Sequence, residues 1–145
     1  MAKSGNQTTI SDIFSYIAGN QYVYFATMLD NQPKIRPMTL FFHKGRFFFI
    51  TFTSDSKIAQ IKNNKLCEVL LEIKDEYENK GYVRMTGKAK ICNDPYARDE
   101  AQYFCYFFDD FYEGSDDPNF TLIELNFNVY EFLKPGETHT VKVYT

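Results

Sequence analysis

From residue 22 to residue 92 one pattern recurs: a short apolar run, a turn signal, then another apolar run. YVYFATML (22–29) is followed by DNQ, KIRPMTLFF (34–42) by HKGR, and FFFITFT (47–53) by Ser54-Asp55-Ser56. LCEVLLEI (66–73) then runs into the charged KDEYENKG (74–81), and YVRMTGKAKIC (82–92) follows. Short runs rich in aromatic and β-branched residues, punctuated in this way, are antiparallel strands joined by tight turns. Gly45 suits the positive φ of the HKGR turn. Gly87, in mid-strand, signals a bulge or a close approach of backbones. FTLIELNFNVYEFL (120–133) is a sixth strand and HTVKVYT (139–145) a last, short one.

Helices are fewer. Ile10, Ile13, Phe14, Ile17 and Ala18 form one apolar stripe, which predicts a helix that stops at Gly19-Asn20. A short helix is expected over 57–63, with Ile58 and Ile61 facing inward. Asp94-Pro95 opens another, whose stripe is Ala97, Ala101, Phe104, Cys105 and Phe108. The expected fold is mainly β with peripheral helices, a small antiparallel barrel in a single domain over 1–145.

Composition narrows the function. Aromatic residues reach 18%, with fifteen Phe, eleven Tyr and no Trp. They suit pleated, half-buried surfaces, and leave some rings for an interface or a flat ligand. A net charge of −3 lacks the basic field that nucleic-acid binding requires. No apolar run is long enough for a membrane span, and MAKSGNQTTISD has no apolar signal-peptide core. Cys67, Cys92 and Cys105 are odd in number and widely spaced, as buried reduced thiols are. The expectation is a cytoplasmic protein with no metal centre, no nucleic acid and no membrane.

Two features point to an anion. The strand 47–53 ends in hydroxyls, Thr51, Thr53, Ser54 and Ser56, with Lys57 at the start of a helix. Unpaired N–H groups and the positive end of the helix dipole favour a phosphate there. The plainer alternative is that Asp55 or Ser56 is simply an N-cap, and Asp55 opposes an anion unless it points away. Arg36 lies in an apolar strand, sharing a face with Lys34, Met38 and Leu40. Its fork geometry suits phosphate, although an edge-strand arginine reaching solvent or pairing with a carboxylate is, for Arg36 alone, the simpler explanation. A hairpin about 43–46 sets Arg36 opposite roughly Ile50 to Thr53, at the mouth of the same cup.

Other chemistry is scarce. His43 falls in a turn and His139 near the C-terminus, both expected to face solvent. No arrangement for nucleophilic catalysis, zinc or a glycine-rich phosphate loop is present, so catalytic residues are not identified. Any reactivity would come from a cofactor. YFCYFFDDFYEGSDDPNF (103–120) reads as a lid or subunit contact, or as a helix end covering the barrel.

ATMLDNQPKIRPM, FFFITFTSDSKIAQI and YVRMTGKAKI, in this order and spacing, resemble the FMN-binding split-barrel proteins related to pyridoxamine 5′-phosphate oxidase. The likeness covers about residues 10–94, and its short form is similar to the general-stress and nitroimidazole-reductase-like branch. It implies a six-stranded antiparallel split β-barrel, a homodimer, and FMN in the cleft between subunits. It also implies redox chemistry on a small molecule, with NAD(P)H as electron donor. By the family pattern Arg36, Ser56 and Lys57 hold the FMN phosphate. Arg36, Pro37, Met38, Thr39, Ile50 and Thr51 line the ribityl chain and ring, and Tyr82 reaches the flavin, in some relatives from the other subunit.

This chain departs from the oxidases themselves. They are longer and end in a segment with arginine and tryptophan, whereas here there is no Trp and the sequence ends VKVYT. Asp55 and Ser56 stand where those enzymes often have a further basic residue. Oxidation of pyridoxamine phosphate is therefore not expected. The alternatives to an oxidoreductase are a non-catalytic flavin or haem binding module, and an interaction domain with an empty cleft.

Overall fold

The computed structural model describes residues 7–145; residues 1–6, the front of the polar N-terminal stretch, lie outside the described residues. The elements run α1 (Ile10–Phe14), β1 (Asn20–Leu29), β2 (Gln32–His43), β3 (Arg46–Phe52), α2 (Ser56–Asn63), β4 (Leu66–Lys74) and β5 (Lys80–Ile91). They continue with α3 (Pro95–Phe104), α4 (Phe108–Phe111), β6 (Phe120–Leu133) and β7 (Val141–Tyr144). Strand order is β3-β2-β1-β4-β5-β6-β7, every recorded pair is antiparallel, and β3 also pairs with β6. That last pairing closes six strands into the expected barrel. The short β7 pairs with β6 at Val129–Phe132, beyond the stretch that β3 occupies.

Two seams of this barrel are short. β1 and β2 pair along ten residues, but β2 and β3 meet only through Phe41–Phe48, Phe42–Phe47 and His43–Arg46. β1 and β4 likewise pair only from Tyr24–Leu70 to Ala26–Glu68. Beyond Phe41 and Phe48 the second and third strands separate, so alternate backbone N–H and C=O groups of 36–40 and 49–52 face an opening. Backbone groups of that kind need a partner or water.

The run FFFI explains why its strand shows no polar alternation: both faces are covered. Phe47 and Phe49 enter the barrel interior with Val23, Phe25, Leu40, Val69 and Met85. Phe48 and Ile50 point outward, into a second cluster made with Phe41, Phe120 and Leu122 and roofed by Ala97, Ala101, Cys105 and Phe108. Each buried Phe contributes roughly 1.5–3 kcal/mol relative to exposure. The three cysteines are free and buried, as expected.

Three expectations change. The helix expected over 10–18 ends at Phe14, because Tyr16 and Ile17 donate to carbonyls three residues back and the chain turns; Ile17 is buried nonetheless. The helix after Pro95 breaks at Cys105, and a separate short α4 follows. His43 is not a solvent-facing turn residue. Its Nε2 lies 2.6 Å from Glu100 Oε2, and its ring packs on Phe104 at 4.8 Å. Gly87 behaves as expected: the β5–β6 register shifts beside it, and an added Cβ would collide with the Asn126 carbonyl. Among the described residues no helix is long and apolar enough to cross a membrane.

Candidate functional site

At the opening between β2 and β3 the chain assembles a charged cup. Thr51, the last inward-facing residue of β3, is buried, and the chain leaves the barrel wall through Phe52 and Thr53. Asp55 is in extended conformation and caps α2, its Oδ1 accepting from the Lys57 backbone N–H at 3.0 Å. The N-cap explanation of this stretch therefore holds. It does not exclude the other one, because Lys57 turns inward. Only 6% of Lys57 is exposed, and its ammonium donates to Thr51 Oγ1 at 3.1 Å and contacts Asp55 Oδ2 at 2.8 Å. A buried ammonium without such partners would be costly.

Arg36 approaches from β2, opposite Phe25 in the register, with its side chain on the inner face. Its Nη1 donates to the Phe25 carbonyl at 3.2 Å and its Nη2 to Gln60 Oε1 at 3.0 Å, while the guanidinium lies 5.5 Å from the Phe25 ring centroid. Gln60 is buried on α2, one turn after Lys57, and its Oε1 also accepts from the buried Thr27 hydroxyl at 2.6 Å. Gln60 thus locks the β2 arginine to the helix that carries the lysine. Among the described residues these bonds occupy two of the five guanidinium N–H groups and two of the three ammonium N–H groups. The remainder are free for an oxyanion.

The charges feel one another. Burial pulls the Arg36 guanidinium down from its ordinary value, and Asp55 acts in the opposite sense. Burial pushes the Asp55 carboxyl up, but hydrogen bonds and charge from Lys57, with Arg36 behind, hold it below the usual carboxylate range. Asp55 does not point away from the cup; it is the lysine's counter-ion.

Of the residues singled out in the sequence, Arg36, Thr51 and Lys57 come together, and Ser56 stands exposed at the first position of α2. Thr53 is drawn off, its hydroxyl bonded to the Pro118 carbonyl and to Thr121 Oγ1, each at 2.8 Å. Met38 packs against the interior cluster, whereas the Ile50 side chain lies in the outer one, so only its backbone can face the opening. Pro37 and Thr39 occupy the outer-facing positions of β2, paired with Tyr24 and Tyr22. Tyr82 is not part of this cup within one chain. It lies on the outer face of β5, donates to Glu131 at 3.1 Å, and lies under the Arg84 guanidinium at 5.3 Å.

Sequence reasoning missed Gln60 and Thr27. A signal existed, since Gln60 shares the apolar face of α2 with Ile58 and Ile61, where a polar side chain needs a buried partner. Two other concavities, of about 430 Å³ at Thr27, Leu66 and Cys67 and about 360 Å³ at Lys62, Arg98 and Asp116, are lined by neither Arg36 nor Lys57.

The segment 103–120 covers the outer cluster. Cys105, Phe108, Tyr112 and Phe120 are buried, while Tyr103, Tyr106 and Phe111 are exposed. Phe111 meets Phe52, immediately after Thr51, at 5.8 Å. The expected cover over the barrel is thus present in Cys105, Phe108 and Tyr112.

The pyridoxamine 5′-phosphate oxidase family profile matches residues 12–134. The chain belongs to that family. It is similar to general stress protein 26 of Bacillus subtilis (strain 168), at 29% identity over 119 residues, 81% of this chain and 83% of that protein. The crystal structure of General Stress Protein 26 from Bacillus anthracis str. Sterne matches with a TM-score of 0.69 at 21% identity, covering 90% of this chain and 95% of that one. A haem-binding protein from Mycobacterium smegmatis gives 0.71 at 10% identity over 87% of this chain and 53% of that one. A FAD-binding protein from Mesorhizobium loti gives 0.67 at 14% over 81% and 88%. At these identities the solved structures share the fold, and the family's split barrel is the architecture described above.

Proposed function

We propose that the chain is an FMN-binding flavoprotein, a flavin-dependent oxidoreductase acting on a small molecule in the cytoplasm. The observation that carries this reading is the convergence of Arg36 and Lys57, from separate elements, on one cup beside an open strand edge. The FAD-binding neighbour and family membership support a flavin. The donor set fits a phosphate monoester in kind: a planar fork, a buried ammonium, the Ser56 hydroxyl and the N-terminus of α2. Asp55 is the one member that does not fit.

A bound flavin supplies hydride and electron transfer, with NAD(P)H as the electron donor. The chain's own part is to hold and orient. Arg36 and Lys57 bind the phosphate, with Ser56 beside them. Gln60 and the Phe25 carbonyl keep the guanidinium aimed, and the backbone of 36–39 and 50–51 would be the part of the chain available to the rest of the flavin. Tyr82, on the outer face, reaches a flavin only from a second copy, so the reading includes a homodimer with FMN between subunits.

The absorption spectrum of protein purified without added cofactor tests the reading, with the chromophore released and identified. One FMN per subunit supports it, and steady NAD(P)H turnover separates an enzyme from a flavin carrier. Colourless protein that takes up no FMN refutes it. Lys57→Ala should weaken FMN binding on the order of tenfold or more, as loss of a charge-assisted contact does. Unchanged affinity by calorimetry would count against the site. The haem reading gains nothing from His43, which lies at the turn end of the β2–β3 seam and is engaged by Glu100.

A further inference from the structure

Asp55 and Lys57 form an ion pair inside the cup at 2.8 Å, and Asp55 is electrostatically coupled to Arg36 as well. At rest the cup holds two cations and one carboxylate, so it carries a single net positive charge. A phosphate monoester above pH 7 is largely a dianion, since its second ionisation falls near pH 6. Placing a dianion there leaves the half-buried cup net negative, with a carboxylate against a phosphate oxygen. Two acidic groups sharing one site resolve that conflict by retaining a proton.

We infer that Asp55 makes occupation of this cup proton-coupled: the phosphate takes over the Lys57 hydrogen bond from Asp55, and one solvent proton is held between the carboxyl and a phosphate oxygen. The inference rests on the FMN reading above and goes beyond it, by assigning Asp55 as the residue that sets which charge state of the ligand binds. No other atoms move and no bond to carbon changes. The groups that face Asp55 are Lys57 on its own helix, Arg36 on β2, and Tyr112 past the end of α4. Burial, with Cys105, Asp117 and Asp55 adding to it, pushes the Tyr112 hydroxyl up to about 12, so it stays neutral and cannot supply the missing charge. The sign follows from linkage: the complex holds one more proton than its separated partners, so binding weakens as pH rises.

The experiment is FMN titration of the full chain and of Asp55→Asn from pH 6.5 to 8.5, followed by flavin fluorescence. Calorimetry in two buffers of different ionisation enthalpy counts protons. Asn remains a good N-cap, so the helix start is kept, and Asp55→Ser is a second variant with the same capping ability. Wild type should lose up to about tenfold in affinity per pH unit above pH 7 and take up close to one proton. The variants should show a flat profile, no uptake, and binding at pH 8 tighter by on the order of tenfold or more. Riboflavin, which lacks the phosphate, should bind wild type and variants alike. FMN binding to wild type without proton uptake, or equal affinity in wild type and variants at pH 8, overturns the inference while leaving the flavin reading intact. A riboflavin response equal to that of FMN also overturns it, by making Asp55 a matter of the ring or the fold. Absence of FMN binding in all forms refutes both.

Discussion

Gln60→Glu is the substitution that separates the architecture of the cup from its charge. Gln60 Oε1 accepts from Arg36 at 3.0 Å and from Thr27 at 2.6 Å, and a glutamate there keeps an oxygen for both donors. The Thr27 hydroxyl, 2% exposed, is thus not orphaned, and the loss of about 1–3 kcal/mol that an unsatisfied buried donor brings is avoided. The amide of Gln60 is replaced by a carboxylate oxygen, and Arg36 gains a counter-ion. Folding stability should therefore change by less than about 1 kcal/mol, a buried pair's attraction being largely offset by desolvation. Anion binding should not survive so well. Unit charges about 6 Å apart repel by about 2.8 kcal/mol at an effective dielectric near 20. Solvent at the half-buried Arg36 screens that to about 1.5 kcal/mol, on the order of tenfold in affinity. Urea unfolding without ligand and FMN titration at pH 7.5 read the two quantities separately. A stable variant that binds FMN as wild type does would show that the phosphate is not held by Arg36. Strong destabilisation would refute the account of Gln60 as a simple acceptor.

Two further perturbations test the frame around the cup. Arg46 holds Glu124 through two contacts, Nε to Oε2 at 2.8 Å and Nη2 to Oε1 at 3.0 Å, and that bonding keeps the carboxyl below its ordinary 4.5 despite burial. A depressed folded value means stability present in full above about 4.5 and lost as pH falls through the folded value. Glu124→Gln should cost about 1 kcal/mol at pH 7 and flatten the acid limb of the thermal midpoint; an unaltered limb counts against the pairing. Gly87→Ala should destabilise by about 3 kcal/mol or more in urea, since its Cβ meets the Asn126 backbone rather than a movable side chain, and a neutral result would deny the close approach.

The strands were legible because each of the apolar runs is bounded by residues with turn chemistry, and even the run FFFI gave its strand away through the HKGR turn before it. What that run hid was its burial on both faces, which only α3 and α4 explain. Arg36 could be named from the sequence because a cation in an apolar run needs a partner, and Lys57 because it follows a cluster of hydroxyls at a helix start. Their meeting needed Gln60, which lies within FFFITFTSDSKIAQI but shows itself only as a polar side chain on an apolar helix face. The shortness of the β2–β3 seam was not legible at all. KIRPMTLFF and FFFITFT pattern as strands along their whole length, and pattern says nothing about where two paired strands part. Ile10 to Ala18 shows the converse error: the periodicity persists past Phe14, although the helix itself does not.

The parting of β2 and β3 also clarifies why Asp55 is where it is. The seam leaves Lys57 buried but beside an opening, and a buried ammonium must have a counter-ion even when no ligand is present. Thr51 offers only a neutral oxygen, so the empty barrel depends on Asp55 for charge balance. A third cation at position 55 would bind phosphate more strongly and leave the ligand-free cup with three like charges. Stability of the empty chain and affinity for an anion therefore oppose each other at this one residue. Asp55→Asn should accordingly melt lower than wild type without ligand and gain more on adding FMN. A variant that melts higher in both states would mean that Lys57 takes its charge balance from elsewhere.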